Sequence, residues 1–127
     1  MNNESPSILI VGAGAIGALY GSALSRGGAH VSVVCRSDYE QVRRDGYRIR
    51  SPLLGDHVFR PDAVLRDVAE CTTPPDYLVL TVKVLPTLDR AALIRPAVGP
   101  GTVIVLIENG IDIEQEIVDA FPANELL

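Results

Sequence analysis

The sequence predicts an α/β fold of the Rossmann type: a doubly wound, mainly parallel sheet with flanking helices. Three observations point there. Four short runs are wholly or largely apolar, as strands covered on both faces require. Helical apolar spacing separates most of them. A glycine-rich turn joins the first run to the first helix. Apolar strands alternating with helices imply parallel pairing through right-handed crossovers.

The elements follow in order. Residues 8–11 are apolar and mostly β-branched, and Gly12 to Gly14 break the run. Ile16, Leu19, Tyr20, Ala23 and Leu24 then recur at i, i+3, i+4, i+7 and i+8, the amphipathic stripe of a helix that faces a core. Gly27 and Gly28 stop that helix. Residues 31–35 are the second strand. Ser37 to Glu40 has the form of a capping box, with the Ser37 hydroxyl accepting from the N3 amide and Glu40 reaching back. The short helix it opens runs to about Asp45 and ends at Gly46.

Alternation over 47–50 and 57–60 predicts a small half-exposed hairpin around 52–55, while the rest of 47–75 has no regular pattern. Residues 77–82 are the third buried strand. Pro86, at a plausible N1 position, opens a helix carrying Leu88, Ala91, Ala92 and Arg95, closed by Pro96. Residues 102–107 are the fourth strand. Ile113, Ile117, Val118 and Phe121 share a helical face, with Asp112 and Gln115 placed to cap its start. The sequence stops at 125–127, where a βαβ pattern would add a strand. It is therefore expected to be one domain, residues 1–127, truncated before a second domain.

Composition narrows the function. The chain has 127 residues, 47% of them apolar, and a net charge of −5 from 11 basic and 16 acidic side chains. That apolar content excludes disorder. The acidic balance argues against a nucleic-acid partner, whose recognition rests on basic patches, yet leaves a small anionic ligand open. Cys35 and Cys71 form no CxxC pair, so neither a disulfide framework nor a metal site is expected, and two reduced, buried thiols in a cytoplasmic protein are. Ser5 to Ser25 carries no charge, and Gly17 and Gly21 have the spacing of membrane helix pairs. Four glycines and a β-branched start instead favour a soluble strand–turn–helix with no membrane role. Oligomeric state is not legible.

The chemistry rests on Gly12-Ala13-Gly14-Ala15-Ile16-Gly17, a GxGxxG sequence between a strand and a helix. Gly12 permits the tight turn, Gly14 lets the backbone approach a pyrophosphate, and Gly17 lets the helix pack close to the sheet. The free amides and partial positive charge of the helix start then face the diphosphate. A dinucleotide ligand follows. An NAD site commonly ends its second strand with an acid; here Arg36 and Ser37 follow that strand. A guanidinium suits a 2′-phosphate, with the Ser37 hydroxyl beside it, which favours NADP (NADPH). Asp38 keeps NAD open. Lys83, the only lysine, follows the third buried strand, and Glu108-Asn109-Gly110 follows the fourth. Open α/β sheets bind ligands at those ends.

Taken together, GAGAIGALYG, CRS, TVK and ENGI, in this order and spanning essentially the whole chain, resemble the nucleotide-binding half of ketopantoate reductase (2-dehydropantoate 2-reductase). The resemblance implies an NADPH-dependent reductase making pantoate on the route to coenzyme A. It implies that Gly12, Gly14 and Gly17 hold the pyrophosphate and that Arg36 reads the 2′-phosphate. Lys83 and Asn109 would line the nicotinamide and the 2-oxo acid substrate. The family's general acid is a lysine in a second, helical domain, so no catalytic residue is assigned in this chain, which is expected to bind nucleotide and turn over little alone. Glu108 departs from the family's usual glutamine and leaves another 2-oxo acid in play. A non-enzymatic nucleotide-sensing module is the alternative from another class; Arg36, Lys83 and Asn109 together speak against it.

Overall fold

The computed structural model of the chain describes residues 5–12, 14–82, 88–107 and 114–127. In chain order the first elements are β1 (Ser7–Val11), α1 (Ala15–Arg26), β2 (His30–Val34), α2 (Tyr39–Asp45), β3 (Tyr47–Ile49) and β4 (His57–Phe59). There follow β5 (Ala63–Leu65), β6 (Tyr77–Leu80), α3 (Arg90–Ile94), β7 (Val103–Leu106) and α4 (Gln115–Ala120). Strands β5-β2-β1-β6-β7 form one parallel sheet in that order, and β3 pairs with β4 as a separate antiparallel hairpin. The chain winds outward from β1 through β2 to β5, then returns to place β6 on the other flank of β1. That reversal creates the crevice at the carboxyl ends of β1, β2 and β6 where open sheets of this kind bind ligands. No helix among the described residues is long and apolar enough to cross a membrane.

Alternation along the strands divides the core in two. Leu9, Val11, Leu78, Leu80 and Ile104 face α3 and α4, packing with Ile94, Ala97, Ile117 and Phe121. Ile8, Ile10, Val31, Val33 and Val79 face α1 and the hairpin, packing with Ala18, Ile49 and Phe59. All four predicted runs are strands of the parallel sheet, and the hairpin forms where alternation placed it, with Gly55 at φ +79° in its turn.

Several expectations need correction. The stripe on α1 does not face the core: Ile16, Leu19 and Tyr20 are 57%, 39% and 46% exposed, while Gly17, Ala18, Gly21 and Ser22 are buried. Small residues win because they let the helix axis sit close to the sheet. A Cβ at Gly17 would lie 3.1 Å from Thr81 Oγ1, and one at Gly21 would lie 2.9 Å from both Ile10 Cδ1 and Phe59 Cε2. No larger side chain fits there without pushing the helix away.

The capping box also fails to form. The N-cap of α2 is Asp38, with no side-chain hydrogen bond, and Glu40 pairs instead with Arg66 at 3.0 Å. Helix α3 starts at Arg90 rather than Pro86, because Asp89 accepts from the Ala92 amide at 3.0 Å and so caps it. Pro86 itself, like Asp112 and Ile113, lies outside the described residues. Val118 is 41% exposed, off the face that buries Ile117 and Phe121. Strand β5 went unpredicted. Cys35 and Cys71 are free and half-buried rather than buried. At the other end of the sequence, Leu127 donates to the Ile104 carbonyl at 2.8 Å, so residues 125–127 pair alongside β7.

Candidate functional site

The site begins where β1 turns into α1. Gly12 has φ +89°, and a Cβ there would lie 2.5 Å from Val82 Cγ1 and 2.8 Å from the Val82 nitrogen. Only glycine meets both constraints. The turn is tied down by backbone: Gly14 N–H donates to the Gly12 carbonyl at 2.8 Å, and Thr81 N–H to the Val11 carbonyl at 2.9 Å. The Thr81 hydroxyl reaches the Val11 carbonyl at 3.2 Å and also the Gly12 carbonyl. Thr81 therefore locks the glycine turn to the end of β6.

Gly14 is the N-cap of α1, with no side chain to cap the helix and no acid in the first turn. The amides at this end carry the helix's partial positive charge, and no side chain among the described residues caps them. The two outer glycines are pressed against protein; a Cβ on Gly14 would meet nothing within 4 Å. The turn is thus open at its middle glycine, toward the crevice. Ala15 and Ile16 lie exposed in the first turn, and Gly17 is buried against the sheet.

A cavity of about 500 Å³ lies along this turn, bounded by Gly12, Gly14, Arg36, Ser37, Asp38 and Thr81, with Leu88 and Leu93 on its apolar side. Arg36 and Ser37 are exposed just past the end of β2. Among the described residues no carboxylate or carbonyl holds the Arg36 guanidinium. Asp38 lines the same cavity, so the one acid that sequence reasoning flagged as a complication is present in the site.

The structure thus brings Gly12, Gly14, Arg36 and Ser37 together. Ala13, Lys83, Glu108 and Asn109 lie outside the described residues. Their strands end side by side: Leu80 pairs with Leu106, and Ile107 N–H donates to the Leu80 carbonyl at 3.0 Å.

Three features escaped sequence reasoning. Thr81 is one. The hairpin is another: a second cavity, of about 420 Å³, shares Gly14 and Asp38 with the first and is bounded by Tyr47, Arg48 and Arg50. The Tyr47 hydroxyl is buried beside the Cys35 thiol with no close hydrogen-bond partner among the described residues, and burial, then that thiol, push its pKa well above the ordinary phenol value. The alternation in 47–50 could have placed these side chains together, but not beside the glycine turn.

The third is Arg90, whose side chain is 2% exposed. Glu116 of α4 accepts from Arg90 Nε at 3.1 Å and from the Arg90 and Ala91 amides at 2.8 and 3.2 Å. One carboxylate thereby caps α3 and neutralises a buried cation. Its two partners are 26 residues apart, and no local signal reveals them.

Comparison with known proteins agrees with this architecture. A family model described as ketopantoate reductase PanE/ApbA matches residues 8–127. A crystal structure of 2-dehydropantoate 2-reductase from Methylococcus capsulatus superposes with a TM-score of 0.88 at 56% identity, over 94% of this chain and 39% of that one. The 2-dehydropantoate 2-reductase of a Nostoc species is 31% identical over 96% of this chain and 37% of its own length. The meiotically up-regulated gene 72 protein of Schizosaccharomyces pombe is 39% identical over 100% of this chain and 24% of its own. The chain therefore spans well under half the length of each of these relatives.

Proposed function

The chain belongs to the ketopantoate reductase family, and on that premise we propose that it is the nucleotide-binding domain of an NADPH-dependent 2-dehydropantoate 2-reductase. The reaction reduces the ketone of ketopantoate to the alcohol of pantoate, on the route to pantothenate and coenzyme A. One observation carries the reading: an exposed Arg36 guanidinium, without a partner among the described residues, shares a cavity with a helix start that has no side-chain cap and an open glycine turn. That is a donor set for a diphosphate and a further phosphate. The open side of Gly14 is the room such a group needs.

In this reading Gly12, Ala13, Gly14, Ala15, Ile16 and Gly17 hold the diphosphate through backbone amides. Arg36 pairs with the 2′-phosphate, and the Ser37 hydroxyl donates beside it. Asp38 opposes the same phosphate, so selectivity is the difference between the two side chains. Lys83 and Asn109 orient the carbonyl of a 2-oxo acid against the nicotinamide, Lys83 by attraction to its carboxylate. The bound dinucleotide supplies the hydride. The carbonyl oxygen also needs a positioned proton donor. We assign that donor to the part of the longer reductases outside the matched region, so this chain alone binds nucleotide with little turnover. The free thiols of Cys35 and Cys71 fit a reducing, cytoplasmic setting.

Glu108 favours a second reading, a reductase for another 2-oxo acid, because a carboxylate at that position repels an anionic substrate. The first test is binding of NADPH and NADH to this chain and to Arg36→Ala. A charge-assisted contact to phosphate is worth about 1.5–3 kcal/mol, or roughly tenfold to a hundredfold in affinity. The expected result is that margin for NADPH, lost in the variant. Equal affinities, unchanged by the substitution, overturn the NADPH assignment.

A further inference from the structure

The β3–β4 hairpin has no part in the chemistry above, yet it stands beside the glycine turn. The cavity of about 420 Å³ runs between the start of α1 and β3, and Gly14 and Asp38 belong both to it and to the nucleotide cavity. The two spaces are therefore neighbours with a common wall. Ile16 and Leu19, exposed on α1, give the second space an apolar side, and Arg48 and Arg50 bound it as well.

Strand alternation explains why the arginines stand free. Tyr47 and Ile49 turn inward, Tyr47 stacking on Phe59, which leaves Arg48 and Arg50 on the other face. Both are exposed, and among the described residues no carboxylate or carbonyl holds either guanidinium. Asp56 shares a smaller cavity with them but forms no ion pair with either. The hairpin that carries them is fixed to α1 at three places. Phe59 packs on Gly21, the Ser22 hydroxyl hydrogen-bonds His57, and Arg26 donates to the Leu54 carbonyl at 2.7 Å. The arginines are thus held beside the helix start, not carried on a free arm.

The charges decide what such an arrangement can do. The chain has a net charge of −5, so Arg36, Arg48 and Arg50 around two adjoining cavities make a local reversal of sign. Asp38 lines both cavities, and its carboxylate subtracts from whatever Arg36 gains from an added phosphate. Two more cations along the shared wall outweigh it, and clefts lined by one sign of charge focus their field on a ligand.

We propose that Arg48 and Arg50 are specificity-determining residues, which favour a nucleotide carrying an extra phosphate on its adenosine by outweighing Asp38. The inference rests on the proposed nucleotide site and adds that three arginines from two separate elements set the preference, not Arg36 alone. At exposed positions the effect is one of charge more than of a fixed fork, so lysine should serve in their place.

The test measures Kd for NADPH and NADH on the chain, on Arg48→Ala/Arg50→Ala, on Arg48→Lys/Arg50→Lys and on Arg36→Ala. Arg43→Ala is the control, since Arg43 is exposed on α2 and bounds neither cavity. The replaced side chains are exposed, and urea unfolding of each variant verifies the fold. The double alanine variant is expected to bind NADPH about threefold to tenfold more weakly, with NADH changed less than twofold. The double lysine variant should restore most of that loss, and Arg43→Ala should leave both nucleotides unchanged. Raising the salt to about 0.5 M should shrink the difference, because exposed charges are screened. If Arg36→Ala abolishes the NADPH preference while the double alanine variant keeps it, the nucleotide site stands and this inference falls. If the parent chain shows no preference, the NADPH assignment itself falls and takes the inference with it. An equal loss for NADPH and NADH also overturns the inference, since the arginines then serve the diphosphate common to both. So does a loss of the same size in Arg43→Ala, which any surface cation would then produce.

Discussion

The two halves of the sheet solve the same problem with different means. On one side of the crevice, β1–α1–β2 is held by backbone proximity: a helix of 12 residues rests on glycines, and among the described residues no ion pair ties it to the sheet. On the other, β6–α3–β7–α4 uses helices of five and six residues, too short to be stable by propensity. A buried guanidinium and a carboxylate clamp them together. Under the proposed function, the first half keeps its helix start bare so that a nucleotide can take its amides. In the second half the start of α3 is taken by Asp89 and Glu116, whereas α4, like α1, has no side-chain cap at its start. The difference teaches that a short buried helix can draw part of its cap from 26 residues away, while the long helix resting on glycines stands without a side-chain cap.

The largest way to break the first half is Gly12→Ala. The substitution forces an alanine to φ +89° and drives its Cβ into the Val82 backbone. Strain and overpacking together are expected to cost about 3–5 kcal/mol, read as a shift in the urea midpoint. A loss under about 1 kcal/mol would mean that the turn relaxes freely. The second half breaks at Glu116→Ala. It removes three hydrogen bonds to α3 and a charge from beside a buried arginine. Because Glu116 is 37% exposed and Arg90 keeps another interaction, the expected loss is about 2–3 kcal/mol, below that of severing a fully buried pair. Glu116→Gln, which keeps an acceptor oxygen, should recover part of it.

Those magnitudes track what the sequence made legible. The parallel sheet was readable because a strand dry on both faces leaves an unbroken apolar run, and the glycine turn because each glycine answers a separate constraint. Strand β5 was not, since Ala63-Val64-Leu65 is too short to show a period and is placed by pairing with residues 32–34 of β2. The buried side of α1 was misread because large apolar residues normally mark it, and here Gly17 and Gly21 reverse the choice. Ser37 resembled a cap, but Asp38 takes the N-cap position and Glu40 is drawn to Arg66. Of the candidate site, Gly12, Gly14, Arg36 and Ser37 converge on one cavity as their positions after β1 and β2 require. Thr81 joins them, and the hairpin arginines line the adjoining cavity, through an arrangement that no local pattern encodes.

The smallest effect on stability separates fold from ligand most cleanly. Gly14→Ala places a Cβ where nothing lies within 4 Å, at φ −78°, a conformation alanine adopts without strain. The folded protein should not notice, within about 0.5 kcal/mol by thermal or urea unfolding. A diphosphate seated on that turn would meet the new methyl group directly, so nucleotide affinity should fall about tenfold or more. Gly12→Ala cannot make this distinction, because it disturbs the fold and the site together. If Gly14→Ala binds NADPH as well as the parent chain while remaining as stable, the middle glycine is not where the phosphates approach. The uncapped start of α1 would then need another explanation.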